Sequence, residues 1–403
     1  MPRACEPHTA GGAPAGRVSG ELGRLETEGR AELGRGGEGM RLGVEAALVD
    51  GTLVPGDVEI DGGAIAAVGL AGGGRGIAVP GFVDLQANGF AGVDFMHTGR
   101  DGYARAGEAM LATGTTAYQP TFITASEENL VAALGEVPAG RANRGPCVIG
   151  AHVEGPFISP RRLGVHPRAW QRSPDPALLA RLLDAGEVRQ VTLAPELPGA
   201  FDLIDLLLER GVVVSAGHTD ASAAEAHLAF DRGVRTVTHL FNAMRPVVPR
   251  DPGIALAALA RTDVTVQLIT DGHHVAGDTL VVAWRAARGR IALVTDAVAA
   301  TSMGDGDFAL AGRRLVSSEG VVRGPEGQLA GSVLTMIDAV RNVHALGIPL
   351  EEALSAASAV PARIAGRPDL GRLAPAAPAD VVVLDDNLEI TRVLVGGDDR
   401  VAR

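Results

Sequence analysis

Residues 212–244 of this chain read VVVSAGHTDASAAEAHLAFDRGVRTVTHLFNAM, and they predict the fold. Two β-branched runs, 212–216 and 235–238, are typical of buried strands, and each ends close to a histidine. A segment of helix length lies between the two runs. His218 and His239 are 21 residues apart, which is the length of one β/α repeat. The pattern therefore indicates a β/α/β unit with one imidazole at the end of each strand.

Two histidines placed in this way suggest a metal site. If both strands belong to one parallel barrel, the imidazoles point from neighbouring strand ends into one space. Neutral imidazole is a good ligand for divalent cations such as zinc. The alternative is that each histidine is a hydrogen-bonded core residue. Cys5 and Cys147 are the only cysteines, too few for a thiolate cage or a disulfide framework, so a metal would need histidine and carboxylate ligands.

The middle of the chain alternates between two kinds of segment. Helix-like segments separate eight apolar, β-leaning runs, at 82–86, 115–120, 147–153, 190–194, 212–216, 235–238, 264–270 and 291–295. This alternation predicts an α/β fold, a (β/α)8 TIM-type barrel, with a doubly wound open sheet as the alternative. Polar residues follow the runs, at Gln86, Asn88, Thr121, Glu154, Glu196, His218, His239, Asp271 and Asp296. Since such barrels keep their chemistry at the carboxyl ends of their strands, these residues favour the barrel.

The two ends of the chain have a different character. Residues 40–79 and 371–403 contain short strand-like runs separated by glycine turns. We expect them to form one small β-sandwich domain, with residues 80–370 as the barrel. Residues 1–39 are rich in Gly, Arg, Glu and Ala without apolar periodicity. They predict a disordered N-terminal extension, with Met40 as the natural first residue.

Composition limits the classes of partner. The chain has 403 residues and a formal net charge of −12, with no basic run, which argues against nucleic acid or an anionic membrane surface as partner. All 36 basic residues are arginines, so a phosphate-loop lysine, a Schiff-base lysine and a carbamylated-lysine metal bridge are excluded. The sequence contains neither an apolar stretch of spanning length nor a signal-peptide pattern, so we expect a cytoplasmic protein.

Eight segments together carry a family resemblance. They are PGFVDLQANG (80–89), GAHVEGPF (150–157), VTLAPE (191–196), SAGHTDA (215–221), THLFNAM (238–244), DGHHV (271–275), LVTDA (293–297) and GSVLTMIDAVRN (331–342). In order and spacing the chain resembles the N-acetylglucosamine-6-phosphate deacetylase family of the amidohydrolase superfamily, from about Met40 to the C terminus. The resemblance implies a metal-dependent barrel that hydrolyses a phosphorylated amino-sugar substrate to glucosamine 6-phosphate and acetate, and a homodimer.

The resemblance also implies roles for individual residues. Glu154, His218 and His239 match the metal ligands, which leaves one position open for water. Asp296 matches the catalytic general base and acid. His166 matches a catalytic histidine that contacts the substrate and polarises the acetyl carbonyl. The positions that hold the sugar and its phosphate are matched by Asn242, Ala243, Arg250 and His274.

Each of these residues also has an ordinary structural interpretation. Glu154 can cap the segment that follows its strand, Asp296 can be a helix N-cap, and His166 can be an exposed loop residue. Gln86-Ala87-Asn88 stands where many amidohydrolases carry His-x-His, and amides are poor ligands for a second borderline cation. We therefore expect one divalent metal ion per chain, zinc first and iron, manganese or cobalt as alternatives.

Two rival functions stay open at this point. The same scaffold could deacetylate N-acetylgalactosamine 6-phosphate or another small amide, since the choice of epimer cannot be read from the residues. A non-catalytic assembly scaffold is the rival from another class. Such a scaffold is expected to have lost its ligands or its acid/base residue, whereas all four matching positions are retained.

Overall fold

The computed structural model describes residues 39–141 and 145–402. The disorder predicted for residues 1–39 thus falls, except for Gly39, outside the described residues. In the described part, helices are α1 Arg100–Ala112, α2 Glu127–Gly135, α3 Pro176–Ala185, α4 Ala200–Glu209, α5 Ala223–Arg232, α6 Ile254–Ala260, α7 Gly277–Ala286, α8 Met336–Ala345, α9 Leu350–Ala357 and α10 Ala359–Ile364. Single 3-10 turns cover Phe95–His97 and Arg168–Trp170.

Strands make up the other half of the architecture. They are β1 Met40–Arg41, β2 Ala46–Val49, β3 Thr52–Pro55, β4 Asp57–Asp61, β5 Ala64–Leu70, β6 Ile77–Pro80, β7 Phe82–Ala87, β8 Gly89–Phe90, β9 Val93–Asp94, β10 Thr115–Ile123, β11 Gly140–Arg141, β12 Cys147–Val148, β13 Ala151–Glu154, β14 Val188–Leu193, β15 Val213–Ala216, β16 Thr236–Val237, β17 Thr265–Leu268, β18 Ile291–Leu293, β19 Gly306–Leu310, β20 Arg313–Ser318, β21 Val321–Arg323, β22 Val381–Leu384, β23 Ile390–Val395 and β24 Asp398–Ala402.

Eight strands pair in chain order, all parallel: β7, β10, β13, β14, β15, β16, β17 and β18. One of the helices α1 to α8 follows each of these eight strands, although short strands precede α1 and the three strands β19 to β21 precede α8. The predicted alternation is therefore present. The strands are short and almost fully buried, because helices cover their outer face and side chains fill the space they enclose.

The last strand returns to the first. Ala87 and Ala297 form a parallel bridge, and the Asp296 amide donates to the Gln86 carbonyl at 2.9 Å. Asp84 strengthens this contact, since its carboxylate accepts hydrogen bonds from the Thr295 hydroxyl at 2.5 Å and the Thr295 amide at 3.2 Å. Complete burial raises the pKa of Asp84 to about 7. The two edges of the parallel sheet thus meet, as in a barrel and unlike an open sheet.

One predicted strand is divided in two. The run 147–153 was expected to be continuous, but β12 and β13 pair with different parts of β10 and are separated at Gly150. Gly150 has φ +118°, and a Cβ there would lie 2.5 Å from Arg189 Cγ. The prediction of one strand was wrong because this close approach forces a break that apolar composition does not reveal.

The unit around the two predicted histidines has the expected order, β15, α5, β16. Ser222 caps α5 through a capping box with Glu225, and Gly233 ends the helix with φ +129°. Ala226, Ala229 and Phe230 bury the inner face of this helix. Short caps at both helix ends keep the repeat compact, so His218 and His239 follow adjacent parallel strands.

Both chain ends contribute to one sheet, in the order β24-β23-β22-β6-β2-β3, which faces a smaller sheet of β1, β4 and β5. An apolar cluster containing Val44, Val58, Ile65, Val381 and Leu394 lies between them. This layered arrangement is that of a small β-sandwich. The boundaries given for it from the sequence, 40–79 with 371–403, stay a prediction.

A second addition to the barrel follows its last strand, β18. After β18 the chain forms an antiparallel three-stranded sheet, β19-β20-β21, before α8 begins; we call it the insertion sheet. Leu310, Leu315 and Val322 of this sheet pack in one cluster with Ile123, the last residue of β10, and with Val165 from the loop after β13. The insertion sheet therefore stands beside the carboxyl ends of the barrel strands. Within the described ranges, no helix is long and apolar enough to cross a membrane.

Candidate active site

Three buried side chains from strand ends meet at the mouth of the barrel. Glu154 ends β13, while His218 and His239 follow β15 and β16. Glu154 Oε1 lies 2.8 Å from His239 Nε2 and 3.1 Å from His218 Nε2, and the two nitrogens are 3.2 Å apart. Ligands about 2.0–2.1 Å from a tetrahedral zinc ion are roughly 3.3 Å from one another. The three atoms are thus spaced to hold one such ion.

The hydrogen bonds of His218 support a cation at this point. Its Nδ1 lies 2.8 Å from the Arg162 carbonyl oxygen, which can only accept, so Nδ1 carries the proton and Nε2 presents a lone pair. That lone pair faces the carboxylate of Glu154, and two acceptors at this distance repel each other without a positive charge between them. Burial is the largest single influence on the pKa of His239 and lowers it, but the hydrogen bond to Glu154 and the charges of Glu154 and Asp296 together raise the pKa above its ordinary value. The donor set fits a divalent ion.

His166 lies against this group with a defined tautomer. The Thr124 amide donates to His166 Nδ1 at 3.3 Å, and the Thr124 hydroxyl lies 2.8 Å from the same nitrogen. Nδ1 therefore accepts, and Nε2 carries the hydrogen. Burial, and then the nearby His218, lower the pKa of His166 to about 4. The ring is neutral at physiological pH and directs an N–H toward the cavity, with Nε2 3.7 Å from Glu154 Oε2.

The side-chain amides of Gln86 and Asn88 hold the carboxylate of Asp296 in place. Its Oδ1 accepts from Asn88 Nδ2 at 2.7 Å and from Gln86 Nε2 at 3.2 Å, and Gln86 Nε2 also donates to Glu154 Oε1 at 3.3 Å. Gln86 and Asn88 therefore orient carboxylates in the described structure. Burial, and then the charge of Glu154, raise the pKa of Asp296 to about 6. A carboxylate with this pKa can exchange a proton near neutral pH.

Three residues of the site have a left-handed backbone conformation. His218, His239 and Asp296 have φ values of +47°, +30° and +50°. Non-glycine residues rarely adopt this left-handed conformation, and it is found mostly where surrounding structure enforces it. Because each residue comes within a few positions of a strand end, the turn redirects its side chain toward the common space. The strain is located at the residues that carry the chemistry.

Other residues hold these side chains in place, and the sequence did not identify their roles. Glu196 accepts from the Thr219 hydroxyl at 2.5 Å and from the Asp220 amide at 2.7 Å, which fixes the turn after His218. Asp271 Oδ2 lies 2.7 Å from His274 Nδ1. Burial raises the pKa of Asp271, yet its hydrogen bonds with His274 hold it at about 2. Polar residues after strands were visible in the sequence, but their partners are set by the fold.

A cavity of about 260 Å³ opens onto this group. Its lining includes nine of the polar positions or their neighbours singled out from the sequence: Asn88, Glu154, His166, His218, His239, Asn242, Ala243, His274 and Asp296. Among the described residues that line it, Gln328 is a polar side chain that the sequence did not point to.

Arg250 is placed differently. It is exposed on the loop before α6, is not among the described residues that line the cavity, and has no hydrogen bond or ion pair within the described ranges. The role implied for it in binding the phosphate stays a prediction. His273 is also exposed, with only its backbone amide bonded to Asp271.

Comparison with known proteins gives a consistent result. Residues 77–399 match the amidohydrolase family. The N-acetylglucosamine-6-phosphate deacetylase of Homo sapiens is 38% identical over 345 residues, 81% of this chain and 83% of that protein. The N-acetylgalactosamine-6-phosphate deacetylase of Escherichia coli O157:H7 is 35% identical over 324 residues, 79% of this chain and 86% of that protein.

A solved structure indicates the same family. A mutant N-acetyl-D-glucosamine-6-phosphate deacetylase from Mycobacterium smegmatis, in complex with N-acetyl-D-glucosamine-6-phosphate, superposes with a TM-score of 0.85 at 37% identity, covering 91% of this chain and all of that one. The predicted resemblance is thereby confirmed, and with it the expectation of a barrel with a small added domain. The chain belongs to the amidohydrolase family and is a hydrolase of the branch that contains these deacetylases.

Proposed function

We propose that this enzyme hydrolyses the acetamide of N-acetylglucosamine 6-phosphate, giving glucosamine 6-phosphate and acetate. The observation that carries the proposal is the meeting of Glu154, His218 and His239 with Asp296 around one cavity. Relatives that carry this substrate in their names support it. The cavity is at the small end of ligand pockets, which suits a monosaccharide.

We infer that Glu154, His218 and His239 would hold one divalent ion, with zinc the first candidate. When bound, such an ion would lower the pKa of a water molecule and polarise the acetyl carbonyl. Gln86 and Asn88 direct their NH2 groups at the carboxylates of Asp296 and Glu154. A donor that satisfies a carboxylate takes the place of a second cation, which supports one ion per chain.

Asp296 and His166 perform the proton transfers and charge stabilisation. Asp296 takes the proton of the attacking water, since its Oδ1 is fixed by two amides and its second oxygen faces the cavity without a described side-chain partner. The Nε2–H of His166 donates to the oxyanion that develops on the acetyl oxygen. As the C–N bond breaks, Asp296 returns the proton to the leaving amine, so one carboxylate serves as base and then as acid.

We propose that the sugar phosphate is held at the His274 end of the cavity. Asp271 Oδ2 lies 2.7 Å from His274 Nδ1 and fixes the orientation of the ring at this end of the cavity, and an imidazole N–H can donate a hydrogen bond to a phosphate oxygen. Arg250 joins this end only if its loop closes on the substrate or if a neighbouring copy contributes. Exposed apolar residues next to His274, Val247 and Val282, are 46% and 62% exposed. Such a patch supports a homodimer.

The second candidate is the epimeric substrate, N-acetylgalactosamine 6-phosphate. The Escherichia coli relative that carries this substrate in its name is 35% identical, close to the values for the other branch. The reaction and the catalytic residues would be the same, and only the orientation of one ring hydroxyl would differ.

The test is acetate release by the purified full chain reconstituted with zinc, iron, manganese or cobalt. N-Acetylglucosamine 6-phosphate, its galactose epimer and unphosphorylated N-acetylglucosamine are compared. We expect turnover of the first substrate, a lower kcat/KM for the second and a much lower one for the third. Acetate release from neither phosphorylated epimer, with the metal shown to be bound, would contradict the proposal.

A further inference from the structure

Asp84 is a buried carboxylate that the catalytic roles assigned above do not use. It lies on β7, is 1% exposed and is not among the described residues that line the cavity. Burying a carboxylate is costly unless it accepts hydrogen bonds, so the donors around it indicate what it does. Within the described ranges those donors belong to two residues, Gln86 on the same strand and Thr295 after β18.

The same two residues control the hydrogen bond that orients the proposed base. Thr295 directly precedes Asp296 in the chain, and the Gln86 side chain donates to Asp296 Oδ1 at 3.2 Å. Asp84 Oδ1 accepts from the backbone amides of Gln86 and Thr295, each at 3.2 Å, and Asp84 Oδ2 accepts from the Thr295 hydroxyl at 2.5 Å. One carboxylate therefore ties together the two backbone segments that carry Gln86 and Asp296.

The backbone at Asp296 needs such a restraint. Its φ of +50° is a conformation that non-glycine residues rarely adopt and that persists only where surrounding contacts enforce it. Ser332 holds one side of the turn, since its hydroxyl donates to the Thr295 carbonyl at 2.5 Å and its amide donates to the Asp296 carbonyl at 2.8 Å. Asp84 holds the other side through the amide and hydroxyl of Thr295. If those contacts are weakened, the turn can relax and displace the Asp296 carboxylate.

We propose that Asp84 is a positioning residue for the deacetylation: it fixes the turn that carries Asp296, and the strand that carries Gln86, so that Asp296 can take the proton of the attacking water. The inference rests on the proposed deacetylase function. Asp84 acts through Asp296 and does not itself line the cavity. Because the same contacts join the last barrel strand to the first, closing the barrel also aligns the base.

A double-mutant cycle tests whether Asp84 acts through Asp296. Asp84→Asn keeps the size of the side chain and one oxygen acceptor, but it loses the charged oxygen that faces the Thr295 hydroxyl. That hydroxyl can still donate to the Gln86 carbonyl at 3.2 Å, so the variant should fold. We expect kcat for N-acetylglucosamine 6-phosphate to fall about tenfold with KM unchanged, because a displaced base slows proton transfer without weakening binding. In an Asp296→Asn background, Asp84→Asn should leave kcat unchanged, since no base is left to position.

Two further measurements separate positioning from stability. The bound metal should be the same in all four proteins of the cycle, and kcat is expressed per bound metal. Asp57→Asn is the matched control: Asp57 is a buried carboxylate of the small sandwich whose Oδ1 accepts from the amides of Gly43, Val44 and Val58. This control should lower the melting temperature and leave kcat per bound metal unchanged.

A loss of kcat of the same size in both backgrounds would overturn the proposal, because Asp84 would then act on something other than the base. Unchanged kcat per bound metal in Asp84→Asn would overturn it as well. If Asp84→Asn does not fold, Thr295→Val makes the same test, since it removes the hydroxyl that donates to Asp84 and should show the same dependence on Asp296. Failure of the underlying function is distinct: the unchanged enzyme then releases no acetate from either epimer, whereas failure of this proposal leaves its deacetylation intact.

Discussion

The two ends of the active-site cavity are built differently. Around the reacting groups, Glu154, His166 and His239 are each at most 4% exposed, and each has hydrogen-bond partners from the same chain. Arg250, which is predicted to bind the phosphate, is instead exposed and unpaired within the described ranges, and the nearby Val248 is exposed as well. The comparison teaches that the geometry needed for bond breaking is preformed in one chain. Of the residues proposed to bind the phosphate, His274 is already held by Asp271, whereas Arg250 has no such fixed partner within the described ranges.

The largest effect should come from breaking the preformed end at a metal ligand. His239→Asn removes one of three presumed ligands, so metal content and acetate release should fall together. We expect a loss of activity on the order of 10⁴-fold or more, because water activation and carbonyl polarisation are lost at once. Elemental analysis beside the acetate assay checks this. Full metal occupancy with low activity would show that His239 acts on the substrate instead.

Asp296→Asn should separate metal binding from chemistry. The amide keeps the size of the side chain but cannot accept the proton, so turnover should fall by about 10² to 10⁴-fold while metal and substrate still bind. Binding of the substrate by calorimetry and metal analysis serve as the readouts. Near-normal turnover with full metal would transfer the proton role to another group, with His166 the first to test.

The pH profile should report the same carboxylate. Burial and the charge of Glu154 raise the pKa of Asp296 to about 6, and a general base acts only when it is deprotonated. Activity should therefore be present above that pKa and fall about tenfold per pH unit below it. A bound cation favours the ionised form, so the midpoint should lie at about 6 or lower. A profile centred clearly above this value would exclude Asp296 as the titrating base.

A smaller effect is expected at the phosphate end. Arg250→Met removes a charge that is unpaired within the described ranges, so folding should be unaffected, while KM for phosphorylated substrate should rise about tenfold. Turnover of unphosphorylated N-acetylglucosamine should not change. The control is Arg285→Met, an exposed arginine on α7 that has no ion-pair partner within the described ranges. If both variants behave alike, Arg250 does not bind the phosphate.

The same contrast explains what the sequence could predict. Strand-end residues such as Glu154, His218 and Asp296 were found because the period of a β/α repeat places them at one edge. The break at Gly150 and the place of Gln328 in the cavity lining were missed. The break at Gly150 depends on a close approach to Arg189 from another strand. The place of Gln328 depends on the geometry of a turn. Composition encodes neither. Arg250 shows the opposite case, a motif match whose position within one chain does not reach the cavity.

The smallest effect is expected from removing residues 1–39. Met40 begins β1 and pairs with Ile60 of β4, so a chain starting at Met40 keeps the small sandwich intact. The removed segment has no apolar face to bury. The free energy of unfolding should therefore be nearly unchanged, and the melting temperature of the truncated chain should stay within about 1 °C of that of the full chain. The segment contains arginines, and arginine is suited to binding phosphate. Comparing kcat/KM for phosphorylated and unphosphorylated substrate before and after truncation would reveal any contribution. A loss confined to the phosphorylated substrate would assign part of the anion site to this segment, and unchanged ratios would leave it to His274 and Arg250.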